Sequence, residues 1–163
     1  MNTQQRPTSF ASVEALRQTE LYTTVEAQYE KLLAERDKLM AELTERPLYT
    51  IEWKTGKIAA NQIRLREVHR FLTFMVNDPT TGEIPTPERM VYVLAGQAEQ
   101  WERWVWEHTA PASTNAIANY IKTAEHETWR EMHLWAWQTL SLLRKAGAEV
   151  PPAPQRGLSY IGL

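Results

Sequence analysis

Between Lys54 and Arg70 the chain sets Lys54, Lys57, Arg64, Arg66 and Arg70 against one acid, Glu67. Cations at that density can follow a phosphate backbone, binding through charge and released counterions. At about 100° per residue, Arg66, His69 and Arg70 share one helix face with Gln62. The plain alternative is a solvated helix face. The stretch from Glu83 to Glu107 is the reverse, five acids and two bases. Opposite local charges can neutralise each other, or dock neighbouring copies head to tail.

The tryptophans are the second feature. Six of seven lie between Trp101 and Trp137, in the clusters Trp101/Trp104/Trp106 and Trp129/Trp135/Trp137. Each can bury up to roughly 250 Å², so they belong to a heavy core, a sticky face, or both. Helical spacing puts Trp101, Trp104 and Trp135 on or beside an apolar stripe and Trp129 on its shoulder. Trp106 and Trp137 point elsewhere. Trp137 shares its side with Lys122, His126, Arg130, His133 and Arg144. Trp106, Arg130, Trp137 and Arg144 are therefore candidate partner-binding residues, since Trp and Arg are enriched where proteins meet.

Other chemistry finds little support. There is no cysteine, which removes disulfides, thiolate catalysis and cysteine-ligated metals together. His126 and His133 stand seven residues apart, roughly 10 Å along a helix, too far to share one ion. No Glu-x-x-His or His-Glu-x-x-His spacing occurs. None of Ser9, Ser12, Ser113, Ser141 and Ser159 sits in a glycine-flanked elbow, and Thr55-Gly56-Lys57 lacks the rest of a phosphate loop. The chain is expected to be no enzyme, with no catalytic residue, metal, cofactor or small-molecule substrate. With a net charge of -2, no apolar run long enough for a membrane and a polar start, a cytoplasmic location without membrane contact is expected.

These residues need helices to place them. Proline and glycine fall at 7, 47, 56, 79, 82, 85, 87, 111, 147, 151, 152 and 154, and long stretches between them contain only Gly96. The spacing predicts an all-α protein: a four-helix bundle with two long helices, short connectors and extended N- and C-terminal tails. A polar N-terminal arm covers 1–11, the bundle 12–147 and a Pro-rich C-terminal tail 148–163. The first helix spans about 12–46 from Ser12, with a weak point at Thr19, Thr23 and Thr24. Tyr49, Ile51 and Trp53 alternate with polar residues, so Leu48 to Lys54 reads as an extended connector or an extra turn of helix. A second helix covers about 57–76. The third opens on Thr86-Pro87-Glu88, and the fourth starts at Ser113 or Thr114 and stops at Gly147.

Taken together, the four-helix pattern, the Lys54–Arg70 stretch and the Arg130/Trp137/Arg144 side resemble the small helical subunit of CRISPR effector complexes. That resemblance implies a non-enzymatic subunit packed against other protein subunits. Lys54, Lys57, Arg64, Arg66 and Arg70 would touch an RNA or DNA backbone. The other reading is a structural or adaptor protein of a virion, phage or other assembly, as a homo- or hetero-oligomer without nucleic acid.

Overall fold

The computed structural model describes residues 9–45, 51–107 and 115–152, with the side chains at 45, 51–53, 106, 107, 116, 117 and 120 excepted. Every regular element among them is a helix: α1 (Val13–Arg17), α2 (Glu20–Glu45), α3 (Ile51–Val76), α4 (Pro87–Glu107) and α5 (Ala116–Lys145).

The expected first helix is two helices. Thr19 makes the break by serving both ends. Its hydroxyl donates to the carbonyl of Leu16 at 2.6 Å and accepts from the amide of Tyr22 at 3.2 Å. A threonine side chain that bonds the backbone this way competes with continued helix and caps the next one. Leu16 before the break and Leu21, Tyr22 and Val25 after it share one core.

Of the two readings of 48–54, the helical one holds for Ile51 to Lys54, which form the first turn of α3, and the alternation of apolar and polar residues there does not mark extended chain; residues 48–50 lie outside the described set. One further boundary differs from expectation. Asn115, rather than Ser113 or Thr114, caps α5, its side chain accepting from the amide of Ala118. At the other end Gly147 has φ 96°. Its amide bonds to Arg144, and that of Ala148 reaches back to Leu143, a closure that needs the left-handed residue.

Packing follows a chain of neighbours. α3 lies against α2, α5 lies against α3, and α4 covers another side of α5. A central helix must be apolar on more than one face: α5 buries Met132, Ala136, Leu140 and Leu143 along one stripe and packs Trp135 and Leu142 against the core on the side next to it. α4 contributes Met90, Leu94, Ala98, Trp101 and Val105. Between α3 and α4 the turn is built on Asp78. Its carboxylate accepts from the amide and hydroxyl of Thr80 and from Nε of Arg89, holding its pKa below the ordinary carboxylate value, with the Thr80 bonds the largest cause. The nominal tail is partly core as well: Ala148 is buried and Val150 packs against the central cluster.

Two glycines should respond oppositely to alanine. Gly96 is exposed within α4, and a Cβ there meets nothing within 4 Å. Gly96→Ala is expected to stabilise the fold by about 1 kcal/mol through helix propensity. Gly147→Ala should destabilise it by ~1–2 kcal/mol, because the added Cβ opposes the left-handed backbone. Chemical denaturation measures both, and shifts of the same sign would contradict this account.

Candidate functional site

The five cations of the Lys54–Arg70 stretch do not share one surface. Lys54 is only 2% exposed and pairs with Glu42 of α2. A buried ammonium needs such a partner, since desolvation without one costs several kcal/mol. Arg64 is half-buried where three helices meet, between Glu35 of α2 and Glu131 of α5. Asn61, also buried, donates to the carbonyl of Leu32 at 3.0 Å. Lys54, Asn61 and Arg64 therefore form the polar seam that fastens α3 to its neighbours. Lys57 is exposed.

Arg66 and Arg70 are different. Both are exposed, and both reach the same acid. Glu67 accepts from Nε of Arg66 at 2.8 Å and from Nη1 of Arg70 at 3.2 Å. With His69 they border a groove of about 560 Å³ between α3 and α4. Phe71, Phe74, Leu94, Trp101 and Trp135 line its interior. Helical spacing could place Arg66 beside Arg70. It could not show that α4 and α5 bring an aromatic wall up to them.

That wall is part of a longer series of rings. Trp104 meets Trp129 edge-on at 4.4 Å, and Trp129 lies 6.5 Å from Trp101. Trp101 lies 6.3 Å from Trp135, and Trp135 meets Phe71 edge-on at 5.9 Å. Phe71 neighbours Phe74 at 6.2 Å. The series passes from α4 to α5, back to α4, again to α5, and on to α3.

The expected partner-binding residues divide as well. Trp106 lies outside the described side chains. Arg144 is exposed in the last turn of α5, and Arg130 is half-buried. Trp137 does not project into solvent. It is half-buried against the core, and its indole N–H donates to Nε2 of His133 at 2.9 Å. His133, expected on the outer side, is fully buried. The reason is the central position of α5: the side opposite its main stripe faces α4 and the start of the tail. His126 likewise turns inward, its Nε2–H donating to the carbonyl of Val105. Trp137 and His133 line a second groove of about 790 Å³ with Tyr92, Pro151 and Pro152, bordered by Glu88, Glu99 and Glu102. Tyr92 is 72% exposed, and the guanidinium of Arg89 lies over its ring.

Among the described residues, no three His, Asp or Glu side chains are arranged to hold a metal ion, and no helix is long and apolar enough to cross a membrane. Comparison with protein-family models, with curated proteins and with solved structures gave no match in any of the three.

Burial lowers the His133 pKa below its ordinary 6.5. The bond from Trp137 also requires Nε2 to be free of a proton. The unfolded chain therefore takes up a proton that the fold refuses. Stability should be full above pH ~6.5 and fall as pH drops from there toward the folded value. His133→Gln keeps an acceptor for Trp137 and removes the titrating group, so its stability should vary less from about pH 7 to 5. Denaturation midpoints across that range check this. Equal slopes for the two proteins would assign the acid sensitivity to other groups.

Proposed function

We propose that this chain is a non-enzymatic helical subunit of a multi-subunit nucleoprotein complex, a four-helix bundle with one basic face toward a nucleic-acid backbone and another toward neighbouring protein subunits. The reading rests on the grouping of Arg66, His69 and Arg70 along one exposed side of α3. Guanidinium groups suit phosphate oxygens, which their fork can grip in pairs. In this reading Arg66 and Arg70 bear the contact, Lys57 extends it, and Lys54 and Arg64 hold α3 in place from beneath. The groove lined by Tyr92 and Trp137, with its acidic border, faces a protein neighbour. The likeness in size and helical style to the small subunits of CRISPR effector complexes supports the same assignment.

A second reading is a structural or adaptor protein of a virion, phage or other assembly, without nucleic acid. The ion pairs favour it. Lys54 and Arg64 neutralise acids within the fold, and Glu67 offsets one charge of the exposed pair.

Anisotropy of a labelled single-stranded oligonucleotide, titrated from about 50 to 200 mM salt, separates the two readings. The nucleoprotein reading expects affinity to fall with salt. Arg66→Ala/Arg70→Ala should bind more weakly, with the slope of log K against log salt shallower by about 0.7 for each phosphate no longer neutralised. Lys54→Met, which removes a buried cation, should bind as the parent does. Absence of binding at the lowest salt would leave the adaptor reading.

A further inference from the structure

The groove between α3 and α4 offers more than its basic border. Its interior is mostly carbon, and its depth comes from rings that are themselves core: Phe71 is 5% exposed and Trp101 2%. Phe74 and Trp135 are half-buried and present part of their surface to it. A volume of about 560 Å³ falls within the roughly 300–1,000 Å³ typical of small-molecule sites. A half-open recess of that size suits a compact molecule.

The charge at the mouth is organised. Glu67 is nearly buried and receives one donor from each arginine. One carboxylate between two guanidiniums leaves an excess of about one positive charge and restrains both side chains. A guanidinium has five N–H donors, so most of those on Arg66 and Arg70 are not used by Glu67. Held by their shared acid, the two arginines lose less freedom when they grip an anion. The carboxylate at the mouth is already paired, so an incoming anion meets no unmatched negative charge there.

We infer that this groove binds a small molecule with an aromatic body and one anionic substituent. The body lies against Phe74 and Trp135, and the acid is held by Arg66 and Arg70. The inference goes beyond the nucleoprotein reading and does not depend on it, because it needs only the recess and its paired arginines.

Two dyes sharing one ring system test it: anilinonaphthalene sulfonate and its uncharged parent, phenylnaphthylamine. Fluorescence titration of the folded full-length chain should give one saturable site for the sulfonate, about tenfold tighter than for the parent, as charge-assisted hydrogen bonds imply. Arg66→Ala/Arg70→Ala should abolish that difference while the parent dye still binds. Thr73→Trp changes an exposed residue on the groove lining. It should fill the recess and weaken both dyes, with circular dichroism and thermal midpoint unchanged. Equal affinity for the two dyes, the absence of a saturable site, or sulfonate binding that survives both variants would overturn the inference.

Discussion

The rings that meet in sequence from Trp104 to Phe74 tie α5 to helices on two sides. Edge-on and offset contacts between aromatic rings add about 0.5–1.5 kcal/mol each beyond the area they bury. Their larger effect is geometric. Trp129 and Trp135 of α5 bracket Trp101 of α4, so sliding one helix along the other would pull Trp101 from one ring and drive it into the other. Trp135 then meets Phe71, which sets the distance from α5 to α3. The groove beside Arg66 and Arg70 follows from this arrangement. The same rings that close the core leave a recess where α3 and α4 diverge around α5.

Acids distributed over three helices decide what the basic stretch can do. Glu42 and Glu35 of α2 and Glu131 of α5 pair with Lys54 and Arg64 and convert them into attachments between helices. Glu67, the one acid within the stretch, organises the two exposed arginines instead. A surface ion pair adds little stability by itself, so the consequence of Glu67 lies in where it holds Arg66 and Arg70. Charge counted along the chain therefore overstates what solvent meets.

Part of the candidate site was legible in the residues alone. Arg66, His69 and Arg70 recur at helical spacing, and the helix they imply is α3. Lys54 gave no sign of burial, because its partner Glu42 lies twelve residues away on another helix. His133 and Trp137 read as outer residues because periodicity ranks faces of one helix and does not say how many of them are covered. The groove was invisible for a related reason. Its lining comes from α3, α4, α5 and the turn after α3, and no local pattern joins Phe74 to Trp135 or Leu94.

By itself the sequence determined the helical class, most helix termini and the main apolar stripes. Those depend on local chemistry: the proline and acid that open α4, the glycine that closes α5, and the apolar repeat from Met90 to Val105. Where two local signals competed, the packing chose. Alternation at Ile51 lost to the helical first turn of α3, and the threonines near Thr19 broke the first helix once Thr19 could serve both ends. Tertiary structure alone decided the order of neighbours, with α5 at the centre. That order decides which charges are buried, which tryptophans are covered and where a groove opens. Burial depends on what lies across from a residue, and a single helix's pattern does not contain that information.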